Sequence, residues 1–199
     1  MSRSKRPPAA RRALVWAIAT AALALPAATQ ESTASQDPAA AERAATLRAT
    51  FLLKMAPYVA PETPPKTPPK TYRIALVGDD AVTQVAAKAL AGKKVDDRPV
   101  EIVVVPLAEA ATGKGSGSCD LMYIAGNVDA EQLKKVVQTH ADKPVPIVCE
   151  RPGFAGSGGG VQLFVQDNLI RFEANAEALK KQGVRASPQL LKLSRKGPQ

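Results

Sequence analysis

From Tyr72 onward, short apolar runs alternate with stretches of helical period, and this alternation restricts the chain to a narrow set of architectures. Tyr72–Val77 (YRIALV) is a strand turned by Gly78-Asp79-Asp80. Asp80 is the expected N-cap of a helix from Ala81 to Leu90, with Val82, Val85, Ala86 and Ala89 facing inward. Arg98–Val105 is a second strand, followed by a short helix over Leu107–Thr112 and a Gly-Ser loop from Gly113 to Ser118. Cys119–Ile124 is a third strand. Asp129 opens a helix that runs to His140 with Leu133, Val136 and Val137 inward, and Val145–Cys149 is a fourth strand. Strands that alternate with helices in this way pair in parallel, because each helix is the crossover that returns the chain to the same sheet edge. The pattern then breaks. Val161–Val165 and Leu169–Phe172 are separated only by Gln166-Asp167-Asn168, too few residues for a parallel crossover and enough for a hairpin. Helices near Ala176–Gln182 and Pro188–Arg195 close the chain, the latter with Ser187 as N-cap and proline in its first turn. The expected fold class is α/β: a mostly parallel sheet flanked by helices, with a C-terminal antiparallel hairpin and an N-terminal amphipathic helix.

That N-terminal helix spans Ala39–Tyr58, with Ala44, Leu47, Phe51 and Met55 forming one apolar stripe. Beyond it, Pro61, Pro64, Pro65, Pro68 and Pro69 forbid helix or interior strand, so residues 61–70 read as a stiff polyproline linker to an α/β domain over 71–196. At the other end, a basic start ending in Arg11-Arg12, an apolar run Ala13–Leu25, the breaker Pro26 and a string of small residues follow the three-part plan of a secretory signal. The run is shorter than the about 20 residues of a membrane span, so no stable membrane insertion is expected. Residues 1–34 are therefore assigned to a signal peptide and disordered start, cleaved between about residue 27 and residue 34, and the mature chain to the periplasm.

Charge supports a soluble domain and argues against nucleic acid. The formal net charge is +9, but residues 1–34 hold Arg3, Lys5, Arg6, Arg11 and Arg12 against Glu31 alone, which leaves the remainder at +5. The basic pairs Lys93-Lys94, Lys134-Lys135 and Lys180-Lys181 are short, and aromatics are only 4% of the chain, so the stacking side chains of a nucleic-acid surface are missing.

Motif by motif, catalysis finds little support. Gly156, Gly158, Gly159 and Gly160 resemble a phosphate cradle, yet a strand follows them where a cradle needs a helix N-terminus. Asp79 and Asp80 have the strand-to-helix setting of an anion site, but two carboxylates repel phosphate, and one acidic pair supplies too few ligands for a metal. His140 is the only histidine and stands near a helix end without a nucleophile elbow or paired carboxylates, so no catalytic residue, metal or cofactor is assigned. An unrecognised hydrolase acting through His140 is the least favoured reading. A small-ligand sensor would use the cleft at the C-terminal ends of the parallel strands, where Asp79, Asp80, Gly126 and Asn127 fall. Cys119 and Cys149 lie at opposite ends of neighbouring parallel strands, too far apart for an intrachain bridge, and are expected as core thiols or as one thiol pairing between chains.

Taken in order, several short pieces resemble the YfiR-like family of bacterial periplasmic proteins. They are Phe51-Leu52, the strand ending Gly78-Asp79-Asp80, Leu90-Ala91-Gly92-Lys93 and Tyr123-Ile124-Ala125-Gly126. The C-terminal third matches best, with Pro152-Gly153-Phe154-Ala155, the glycine cluster, Val161–Val165, Arg171-Phe172-Glu173-Ala174-Asn175 and Ser187–Leu193. The likeness spans about residues 45 to 195. Family members usually carry an aromatic and an Asn after Phe-Leu and a Trp-Pro after the helix; here Leu53, Lys54 and the proline-rich segment stand instead. The best-known member also uses disulfides, whereas this chain has only two cysteines. The resemblance implies regulation by binding: a periplasmic protein that represses a membrane-bound diguanylate cyclase by engaging its periplasmic sensor domain. Whether the chain also forms a homodimer is left open by the sequence.

Overall fold

The computed structural model describes residues 38–115 and 118–199. The signal peptide assigned to residues 1–34 lies outside the described residues, as does the centre of the Gly-Ser loop.

The chain enters as helix α1 (Pro38–Met55), a 3-10 turn at Ala56–Tyr58 and the short strand β1 (Val59–Pro61). The α-helix stops before the Tyr58 end expected from its sequence because Pro57 supplies no N–H and crowds the preceding turn. Strand β2 (Tyr72–Val77), helix α2 (Ala81–Leu90), strands β3 (Lys94–Val95) and β4 (Arg98–Val105), and the one-turn helix α3 (Leu107–Ala110) follow. Next come β5 (Leu121–Ile124), α4 (Ala130–Thr139) and β6 (Ile147–Cys149). The end is β7 (Val161–Gln166), β8 (Leu169–Ala174), α5 (Ala176–Lys181), β9 (Val184–Ala186) and α6 (Pro188–Leu193). The fourth strand starts later than expected because Pro146 has no N–H for the ladder, although its carbonyl still accepts from Met122.

β3-β4-β2-β5-β6-β7-β8 form one seven-stranded sheet, and β1 and β9 pair separately. β4, β2, β5, β6 and β7 run parallel; β3 and β8 join antiparallel at the two edges. The α/β fold class read from the sequence is therefore correct, and the sheet is mixed at both margins. Ile74, Leu76, Tyr123 and Val148 point to one face and pack with α1 and α2; Ala75, Val77, Met122, Ile124 and Cys149 point to the other and pack with α3 and α4. Both faces are covered, which is why these strands read as continuous apolar runs rather than alternating ones.

α1 needs one correction. Its buried stripe is Ala45, Ala49, Leu52 and Met55, while Leu47 is 62% exposed and Ala44 and Phe51 are half-buried. Both sets have helical spacing. The alanine face wins because its small side chains let α1 approach α2 closely, and the larger Leu47 is turned outward.

Candidate functional site

α2 leaves β2 toward one face of the sheet and α4 leaves β5 toward the other, so a topological switch point lies between the C-terminal ends of these adjacent strands. Asp79 and Asp80 stand in the loop after β2, and Gly126 and Asn127 in the loop after β5. Asp80 is the N-cap of α2: one carboxylate oxygen accepts the Thr83 N–H at 2.9 Å, and the Thr83 hydroxyl accepts the Asp80 N–H in return. Its other oxygen accepts the Tyr123 hydroxyl at 2.8 Å and the Gly126 N–H at 3.3 Å. Asn127 donates its amide to the Asp79 carbonyl at 2.8 Å, which ties the two loops together, while the Asp79 side chain is exposed and receives only Gln84. The crossing is close. A Cβ on Gly78, whose φ is +89°, would lie 2.9 Å from the Ala125 Cβ.

Three further residues complete the cluster and were not legible in the sequence. Tyr123 is fully buried and bridges the strands through its hydroxyl. Glu150 follows β6 directly, as Asp79 and Asp80 follow β2, so a carboxylate just past a strand end was the available signal. Its Oε2 lies 3.5 Å from the Arg48 guanidinium on α1, and its Oε1 is buried without a hydrogen-bond partner. Burial holds the Glu150 carboxyl above its ordinary range; the Asp80 charge adds to this and Arg48 opposes it. Burial also raises the Tyr123 phenol, with Glu150 and Asp80 acting in the same direction, so it stays a hydrogen-bond donor. Arg48 had no sequence signal, because only the packing of α1 across the strand ends brings it here.

His140 is the C-cap of α4, completely buried, with its Nδ1 2.8 Å from the Val136 carbonyl. Burial lowers its pKa and keeps the ring neutral, so that Nδ1 carries the proton it donates to the helix end. The ring faces no solvent from which a substrate could reach it. Within the glycine cluster Gly159 packs on the buried Phe154 ring, which a Cβ there would overlap, and Gly160 lies against the Ile147 carbonyl and Leu179. Among the described residues there is no group of three or more metal-ligating side chains, and no helix is long and apolar enough to cross a membrane.

The parallel register sets Cys149 beside Ile124, while Cys119 precedes β5 at its other end, roughly 16 Å away at ~3.3 Å per residue. Cys119 is half-buried and Cys149 buried, and the two are not bridged to each other.

On the α1 face a groove of about 210 Å³ opens between α1 and α6, lined by Phe51, Lys54, Met55, Tyr58, Phe172, Gln189, Leu190 and Leu193. Phe172 and Phe51 stack at a tilt with centroids 5.7 Å apart and form its floor. Leu193 is 65% exposed and Tyr58 45%, so the apolar surface continues onto the rim.

The YfiR/HmsC-like family matches residues 45–195, which runs from within α1 to the end of α6. The chain belongs to this family. The YfiR/HmsC-like match covers both the strand-end cluster and the α1–α6 groove. Lys54 lies in the lining of that groove.

Proposed function

We propose that this chain is an exported regulatory protein of the periplasm that works by binding, and that its partner is the periplasmic sensor domain of a membrane-bound diguanylate cyclase, which it represses. The observation that carries this reading is the open α1–α6 groove. Soluble proteins seldom leave an aromatic floor and an aliphatic rim exposed together unless something docks there. Lys54 is the only charged side chain in its lining, and Lys192 stands exposed on the same helix as Leu190 and Leu193. The occupant that fits is a protein segment that presents apolar side chains flanked by carboxylates. YfiR/HmsC-like membership supports the regulatory role and the compartment.

The test is cellular. Cyclic diguanylate is measured in a strain lacking the gene and complemented with wild type or with Leu193→Asp. Leu193 is solvent-facing, so the variant retains its fold. Wild type lowers the nucleotide level and Leu193→Asp leaves it high. Equal repression by both would refute the groove as the docking surface, and no change on deletion would refute the cyclase as the target.

A second reading, a small-ligand sensor at the strand ends, rests on the unpartnered Glu150 Oε1 beside Asp80 and the Gly126 N–H. Native mass spectrometry of the purified protein that finds a bound small molecule, lost in Glu150→Gln, would favour it over the first.

A further inference from the structure

Helix α4 is packed on one flank and open on the other. On the packed side the Thr139 hydroxyl donates to the Ala111 carbonyl, just past α3, at 3.0 Å. On the open side Ala130, Leu133, Lys134, Val137 and Gln138 recur at helical spacing and face the loop after β6 across a cavity of about 450 Å³. This cavity lies on the α4 face of the sheet, away from the α1–α6 groove, and neither Asp80 nor Glu150 lines it. Its floor is apolar, made by Leu133, Val137 and Phe154, with Leu133 and Phe154 buried. The wall opposite α4 is held by its own hydrogen bonds. The Phe154 carbonyl accepts the Gly159 N–H at 2.9 Å and the Ser157 hydroxyl at 3.0 Å, and the Ala155 carbonyl accepts the Asn175 amide at 2.8 Å. Two cations stand over this floor. Arg151 gives one guanidinium N–H to the Val128 carbonyl at 3.0 Å, which fixes its head group beside the start of α4 and leaves the rest of its donor fork uncommitted. Lys134 is exposed and, among the described residues, forms no hydrogen bond or ion pair. Glu131 is the one acid in the lining, so the cavity carries a net positive charge.

We propose that this cavity binds a small amphipathic anion, an apolar body that bears one carboxylate or sulfonate. The body lies on Leu133, Val137 and Phe154, and the anionic head sits between Lys134 and Arg151. The volume falls within the about 300–1,000 Å³ of small-molecule sites, and a mostly apolar lining with a few placed polar groups is their usual composition. Charge selects among the possible occupants. A neutral apolar molecule would strip water from two cations and return nothing to them. A cation would be repelled by Lys134 and Arg151. A polyphosphate would find no backbone cradle and would leave the apolar floor unused. A single carboxylate or sulfonate answers the guanidinium fork directly and lets its apolar body cover the floor. Because the wall is already held by hydrogen bonds, binding costs little ordering. This site depends neither on the α1–α6 groove nor on the strand-end cluster.

The experiment is a fluorescence titration of the full mature chain with anilinonaphthalene sulfonate, followed by displacement with decanoate and with decanol, and methyl NMR to place the probe. Saturable binding in the micromolar range is expected, with decanoate displacing the probe at least about tenfold better than decanol. The methyl signals of Leu133 and Val137 should shift, and those of Leu190 and Leu193 in the groove should not. Lys134→Glu is expected to weaken binding by at least about tenfold, and Ala130→Trp, which fills the cavity from an exposed position, to abolish it. Lys135→Glu makes the same charge change one residue along, outside the lining, and is expected to retain binding. All three positions are exposed, so the thermal midpoint should hold within a few degrees. No saturable binding, equal displacement by decanol and decanoate, or equal losses in Lys134→Glu and Lys135→Glu would overturn the proposal. So would full binding by Ala130→Trp, or shifts confined to Leu190 and Leu193.

Discussion

Replacing Asp80 with alanine tests whether the strand-end cluster is a structural lock. Its carboxylate accepts three hydrogen bonds, from the Thr83 N–H at 2.9 Å, the Tyr123 hydroxyl at 2.8 Å and the Gly126 N–H at 3.3 Å. Loss of the helix cap costs about 1 kcal/mol. Tyr123 is fully buried, so its orphaned hydroxyl finds no water, a penalty of about 1–3 kcal/mol. Relief of the repulsion between Asp80 and Glu150 offsets part of this, since the Asp80 charge helps to raise Glu150. The net expectation is a loss of about 1–3 kcal/mol, or about 2–12 °C in Tm for a domain of this size. Asp79→Ala is the control. That side chain is exposed and receives only Gln84, and Asn127 bonds to its backbone carbonyl, so the change should stay within about 0.5 kcal/mol. Urea unfolding of both variants measures the difference, with an unchanged slope required for the comparison. Equal losses at the two positions, or an Asp80→Ala loss below about 0.5 kcal/mol, would refute the lock.

Other consequences can be checked independently. Burial raises Glu150 above its ordinary 4.5, so its contribution is fullest below that pH and is lost as pH climbs through the folded-state value; Glu150→Gln should flatten the fall in urea midpoint as the pH rises above 4.5. Gly159→Ala drives a Cβ into the buried Phe154 ring and should cost about 1–3 kcal/mol by thermal unfolding, whereas Gly158→Ala meets no atom within 4 Å and bears only the strain of its φ of +95°, about 1 kcal/mol. Burial pushes both thiols up to about 11, so labelling at neutral pH should be slow, slower at Cys149 than at half-buried Cys119, and non-reducing peptide mapping should find no Cys119–Cys149 bridge. Export predicts that the periplasmic protein lacks its first 27 to 34 residues, and an intact Met1 form in the cytoplasm by mass spectrometry would refute it.

Features that depend on a few neighbouring residues were legible in the sequence. The Asp80 cap and both ends of α2, the Ser187 cap with Pro188 in the first turn of α6, and the β7–β8 hairpin all stand where the residues placed them. Each is decided by backbone groups a few positions apart; Asp167 and Asn168, with φ of +52° and +57°, are residue types that accept the left-handed turn a tight hairpin needs. That Asp79 and Asp80 follow one strand end, and Gly126 and Asn127 the next, was legible for the same reason, since strand ends locate the loops that follow them. Features that depend on distant partners were not. β1 and β9 are three residues each, too short for a period, and exist as strands because Val59, Ala60 and Pro61 meet Ala186, Arg185 and Val184. The choice between Leu47 and Ala49 as the inward face of α1 rested on how closely α2 approaches, which no local pattern encodes. Arg48 and Glu150 come together only because α1 crosses the ends of strands far away in sequence. Local hydrogen bonding and turn chemistry act within a few residues and are written in order along the chain, whereas packing couples residues that only the folded sheet makes neighbours.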